Sequence, residues 1–172
     1  MYGFAPELQA GRRRAVVTFE NTNDGSFHVR SKLLVDTSSE KSWVIVFDTS
    51  EEAVAGLLSF AREQSITAAH FTAIGAFSSA VLGYFDWQTK QYNRIRVDEQ
   101  VEVVTLMGDI ALEKNEPKVH AHTALAKHGG VTVGGHLLEG YVRPTLEVVL
   151  NQAPKHLERK FDEKSGIALI RI

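Results

Sequence analysis

Chemistry in this 172-residue chain starts from three histidines, His120, His122 and His136. Neutral imidazole is the commonest metal ligand in proteins. His120 and His122 stand two apart in a strand pattern. Side chains there alternate faces, so both rings point the same way. Just downstream, Lys127-His128-Gly129-Gly130 reads as a hairpin tip, because two glycines tolerate the positive φ of tight turns. A three-residue loop over 128–130 places His122 directly opposite His136. Opposed residues share a face, and a one-residue slip would turn His136 away. Three histidines without cysteine suit zinc, and also iron, nickel or copper. Three protein ligands leave a fourth position open, as in a catalytic rather than a closed structural zinc site. The competing reading is three polar residues on an exposed sheet face. One histidine alone would be read that way; three meeting by register favour the metal.

The catalytic residues are unknown at this level. Glu139 and Arg143 are near in sequence, but in an unbroken strand odd positions point away from His136. His70 falls in a strand and reads as core or surface. His28, His128 and His156 read as loop or helix-surface residues. Ser78 and Ser79 lack a GxSxG frame. Ile74-Gly75-Ala76 and Leu82-Gly83-Tyr84 lack a phosphate-loop signature and read as turns or bulges. Gly134 and Gly135 read as a bulge or bend, against the alternative of backbone kept bare for close approach.

These residues need a sheet to carry them. Residues 32–36, 43–47, 68–74, 80–86, 91–97, 101–113, 118–126, 131–138, 145–150 and 167–172 read as strands. Incomplete alternation over 101–106 suggests a strand covered on both faces. One main helix is signalled by Thr49 followed by Glu52, a capping box. Behind it Val54, Leu57, Leu58 and Ala61 form an apolar stripe; the helix ends near Gln64. A short C-terminal helix is expected over residues 155–161. The predicted fold class is therefore α+β: a mostly antiparallel β-sheet with one main helix and a short C-terminal helix. Residues 1–29 read as an N-terminal extension, with a short strand at 15–20 and a polar loop. Residues 30–172 read as one domain.

Composition narrows the function. The hydrophobic fraction of 44% and charged fraction of 23% are those of a globular protein. A net charge of −2 argues against tight DNA binding by this chain alone. With no cysteine, disulfides and thiolate ligands are excluded, which fits a reducing, cytoplasmic setting. No apolar run is long enough to span a bilayer.

The stretch 71–86 (FTAIGAFSSAVLGYFD), then Val119-His-Ala-His122, then Gly134-Gly-His-Leu-Leu-Glu-Gly140, resembles the PPC domain (plants and prokaryotes conserved). The segment 160–170 resembles it too. Three ordered motifs carry the likeness from about residue 30 to the end. The resemblance implies an antiparallel sheet with few helices, homotrimeric assembly, and a metal unit at His120, His122 and His136. Its fold is similar to that of acetolactate decarboxylase, a zinc enzyme with three histidines. Plant members join the domain to AT-hooks, which use an Arg-Gly-Arg-Pro core. Gly11-Arg12-Arg13-Arg14 and Val142-Arg143-Pro144 do not match that core, and Arg12–Arg14 reads as a solvated run. The expectation is a protein that binds a divalent metal, zinc first, with a small-molecule ligand at the metal. The alternative is a DNA-binding or regulatory interaction module without catalysis.

Overall fold

The computed structural model describes residues 29–172. The expected strand at 15–20, the Arg12–Arg14 run and His28 lie outside these residues. Ten elements follow in order: β1 (Arg30–Asp36), β2 (Lys41–Phe47), α1 (Ala53–Glu63), β3 (Ala68–Asp86), β4 (Gln91–Val97), β5 (Val101–Glu113), β6 (Glu116–Ala126), β7 (Thr132–Gln152), β8 (Glu158–Asp162) and β9 (Ile167–Arg171). All the strands join one sheet, in the order β1-β2-β7-β3-β5-β8-β9, with β4 on β3 and β6 bridging β5 and β7.

Those pairings close a ring. β3 pairs β5, β5 pairs β6, β6 pairs β7, and β7 returns to β3. Around His122 and His136, β6 is paired on both sides by β5 and β7, and β7 by β6 and β3, so neither presents an open edge there. The interior is apolar: Phe71, Phe77, Leu82, Leu106, Leu125 and Leu137 are buried in one cluster.

The fold is nearly all β, which corrects the α+β expectation. α1 is the one helix among the described residues and spans 11 residues. The expected C-terminal helix over 155–161 is absent; β8 occupies its second half. The reason is an open edge. β3 covers β5 only as far as Ala111. Beyond it, Leu112 and Glu113 pair in parallel with Glu158 and Arg159, and β8 folds back on β9. Backbone groups on an exposed edge demand partners, and that demand outweighs weak helix propensity. The parallel pair makes the sheet mixed.

Two expected strand pairs are single long strands. Residues 68–86 run unbroken through a bulge near Gly75, where the register shifts against both neighbours. Residues 132–152 form one 21-residue strand. Pro144 is tolerated in it because no ladder pair is made between Val142 and Leu146, so a missing N–H costs little.

The helix is capped otherwise than expected. Glu52, not Thr49, is the N-cap, and its carboxylate accepts from the backbone N–H of Val54 and Ala55. The same carboxylate accepts from Gly140 N–H on β7, which ties the cap to the sheet. Thr49 instead donates to the Pro144 carbonyl. Of the expected stripe, Leu57 and Ala61 are buried. The rest of the buried face is Ala53, Gly56 and Phe60, with Phe60 edge-on to Trp43 at 5.3 Å. β5 is covered on one face only: Val101, Val103 and Leu106 are buried, while Val104 and Met107 are exposed.

Candidate metal centre

The hairpin between β6 and β7 sets the site. Lys127 N–H donates to the Val131 carbonyl, and Gly130 N–H to the Lys127 carbonyl. The loop thus has three residues at its tip, with Gly129 and Gly130 at φ of 89° and 85°. A side chain at either would meet the left-handed penalty. From this turn the ladder runs without slip to His122 opposite His136, the predicted register. His120 lies two residues along β6.

The three rings converge. Their centroids are 5.2 Å (120–122), 5.1 Å (120–136) and 5.3 Å (122–136) apart. One ring nitrogen from each lies within 4.8 Å of those of the other two. A tetrahedral zinc, with bonds of about 2.0–2.1 Å, needs its nitrogens roughly 3.4 Å apart, so small side-chain rotations close the set. His136 Nδ1 is buried and meets no hydrogen-bond partner. A buried polar atom without a partner is costly and rare, and nitrogens converging on a common ligand fit it. The residues present therefore suit a divalent metal.

The electrostatics favour the neutral rings that bind metal. Burial, and then the neighbouring His120 and His122, lower His136 to about 4. Burial and His120 lower His122 as well. A cation held there would repel a proton in the same way.

A carboxylate and a guanidinium complete the surroundings. Asp109 on β5 is the cross-strand partner of His120, its Oδ2 3.6 Å from His120 Nδ1. Arg159 on β8 reaches under the strand edge and donates from Nη2 to both Asp109 oxygens, at 2.7 and 2.8 Å. The same Nη2 lies 3.1 Å from His120 Nδ1. Burial pushes the Asp109 carboxyl up, but hydrogen bonds from His120 and Arg159 outweigh it, leaving the carboxyl below its ordinary range. Both residues escaped the sequence reading. Asp109 was findable: Lys114 and Asn115, both at positive φ, make a two-residue turn whose register puts Asp109 opposite His120. Arg159 carried no local signal, because it arrives by a parallel pairing.

Around the rings, Tyr92 of β4 stacks on His136 at 4.9 Å. Glu139 is on the histidine face, contrary to expectation. Val81 pairs Glu139 and Leu82 pairs Leu137, so Leu138 is an extra residue that flips the alternation. There Glu139 forms an ion pair with Arg94. Gly134 and Gly135 make no bulge, since the β6–β7 register is regular through them. A Cβ on either would sit 2.9 Å from a carbonyl oxygen of Thr123 or Gly83, so their bareness serves the chain's own backbone. His70 is exposed on β3, its Nε2 3.3 Å from Asn151 Nδ2. It shares with Thr72, Met107, Asp109, His120 and His122 a shallow hollow of ≈ 430 Å³. Arg143, His128 and His156 are exposed. Ser78 and Ser79 lie within β3, where Ser78 donates to the Tyr141 carbonyl.

Residues 35–154 match the family described as the Plants and Prokaryotes Conserved (PCC) domain. A plant- and prokaryote-conserved (PPC) protein from Pyrococcus horikoshii is 31% identical, with a TM-score of 0.72 over 76% of this chain and 91% of that one. The metal-containing protein AF0104 from Archaeoglobus fulgidus is 34% identical, with a TM-score of 0.71 over 77% and 94%. A Ralstonia eutropha JMP134 protein, named as a candidate DNA-binding protein, is 27% identical, with a TM-score of 0.72 over 76% and 90%. Among curated proteins, the bifunctional protein GlmU of Synechococcus sp. (strain JA-3-3Ab) is 35% identical over 116 residues, 66% of this chain. The chain spans 17% of the length of that relative.

Proposed function

The chain belongs to the Plants and Prokaryotes Conserved domain family, and from that premise we propose that it binds one divalent metal, zinc first, through His120, His122 and His136. The convergence of three ring nitrogens within 4.8 Å carries the reading. The metal-containing Archaeoglobus fulgidus relative is consistent with it. When bound, such an ion supplies Lewis acidity at its open position. The chain's own residues hold it with neutral rings, back His120 with Asp109, and leave the hollow toward His70 and Thr72 for a small ligand. Residues 30–172 act as the domain and residues 1–29 as its extension, in a cytoplasmic setting. Among the described residues no helix is long and apolar enough to cross a membrane.

The domain assembles as a homotrimer in this proposal. Thr72 pairs with both Met107 and Val149, so Ile74, Met107 and Val149 share the outer face beside the triad. All three are exposed, Ile74 at 62%. Light scattering at monomer mass would sink the assembly.

Elemental analysis of untagged protein tests the metal. About one ion per chain is expected in wild type, and none in the His120→Ala/His122→Ala variant. No metal in wild type even after reconstitution would overturn the reading. The second reading, a DNA-associated or regulatory module, draws on the Ralstonia eutropha relative's name. Retention on DNA that falls steeply with salt would favour it. The net charge of −2 and the lack of an AT-hook core rank it second.

A further inference from the structure

The ladders order the outer face beside the triad into rows. His70 pairs Asp109, and Asp109 pairs His120, so one polar row crosses β3 and β5 to the metal centre. The same row continues the other way, through Asn151 on β7 to Ser42 on β2. Ser42 is buried and donates to Asn151 Oδ1. Asn151 Nδ2 lies 3.3 Å from His70 Nε2. A buried hydroxyl thus fixes an amide, and the amide fixes the ring of an exposed histidine. His70 Nδ1 has no protein partner among the described residues. In the neighbouring row Thr72 pairs Met107, and Met107 pairs His122, which sets an apolar side chain between two polar ends. Both rows line the hollow of ≈ 430 Å³, a size that suits small ligands.

Charge selects what fits there. Imidazole brings no negative charge to a metal in either protonation state. The two carboxylates beside the triad are already matched, Asp109 by Arg159 and Glu139 by Arg94. A divalent ion held by the triad would keep a charge that the chain does not answer, which favours an anion at its open position. Length follows from the sheet. β3 and β6 are two strand spacings apart, about 10 Å, and side chains stand roughly perpendicular to the sheet. A metal–oxygen bond and a hydrogen bond take up about 2–3 Å each, which leaves about 5 Å between the two polar ends of a ligand. We propose that the hollow takes a short dicarboxylate, one carboxylate at the metal and the other hydrogen-bonded by His70. The inference rests on the metal reading above. His70 sets the specificity, and Asn151 is the positioning residue behind it.

Calorimetry on full-length, zinc-loaded protein tests this with three probes. Glutarate is the dicarboxylate. Pentanoate has the same carbon chain with a single carboxylate, and cadaverine is the cationic counterpart. Wild type is expected to bind glutarate roughly tenfold more tightly than pentanoate, as for one hydrogen bond to a charged group, and not to bind cadaverine. His70→Ala should erase that preference while pentanoate affinity and zinc content stay as in wild type. Asn151→Ala should erase part of it. A merely structural role for either residue would leave the ratio of the two acids in place. Wild type that takes up no zinc overturns the metal reading, and the ligand class with it. Zinc-loaded protein that binds neither acid, that prefers cadaverine, or that keeps its glutarate preference in His70→Ala overturns the ligand class alone.

Discussion

The ring of β3, β5, β6 and β7 has two faces built from the same strands. Inside, Phe71, Leu106, Ala121 and Leu125 are buried and stabilise the fold by excluding water. Outside, one residue away along β3, β5 and β6, stand His70, Met107, His120 and His122. Leu106 and Met107 are adjacent, as are Ala121 and His122. The period of two separates stability from chemistry within single strands, so the two properties can be broken one at a time.

The largest expected effect falls on the inner face. Leu106→Ala should destabilise the protein by about 2–5 kcal/mol, the range for truncating a buried leucine. The folded fraction should still take up about one metal per chain. Chemical denaturation and elemental analysis on the same sample check this. Metal lost in step with stability would show that the faces are coupled.

His122→Ala is the mirror image. Metal content should fall below about one tenth per chain, while the metal-free protein should unfold within about 0.5 kcal/mol of wild type, as for other exposed substitutions. Comparing denaturation midpoints with and without a chelator separates the two.

Acid sharpens the comparison further. His136 titrates at about 4 in the folded protein, against 6.5 for a free imidazole. Between those values the unfolded chain binds the extra proton. Stability from this group is thus full above about pH 6.5 and declines as pH falls towards 4. His122 shifts the same way. Melts of metal-free protein at pH 7.5 and 4.5 should show a steeper loss in wild type than in His136→Asn. Equal losses would mean that burial does not hold His136 neutral.

The smallest effect is expected at the rim. Arg94 and Glu139 form an ion pair with both side chains well exposed. Such pairs contribute about 0–1 kcal/mol. Glu139→Gln should leave the unfolding midpoint nearly unchanged and metal content intact. Lost metal would give Glu139 a role at the site that its exposure does not suggest.

Most strand positions were legible because alternation and turn residues are local signals. Gln91–Val97 and Val101–Glu113 fell at the expected bounds. The breaks expected near residues 75 and 139–144 were not chain reversals. Gly75, Leu138 and Pro144 bend or bulge strands that continue, since ladder pairing resumes beyond each of them. A single sequence cannot distinguish a bulge from a turn when both use glycine and proline.

What the sequence by itself determined is the triad. Gly129 and Gly130 specify the turn, the turn specifies the register, and the register brings His122 to His136 with His120 beside them. Every step is short-range, so nothing distant could alter it. Beyond Asp109, which the turn at Lys114-Asn115 sets opposite His120, only the tertiary structure decided what surrounds the triad. Residues 155–161 lose their helix because β5 has an uncovered edge beyond Ala111. That same pairing delivers Arg159 to Asp109 across 50 residues of chain. A one-residue bulge at Leu138 turns Glu139 to the histidine face. Edges and bulges follow from which backbone groups remain unpaired once the long-range sheet has formed, and no local pattern records that remainder.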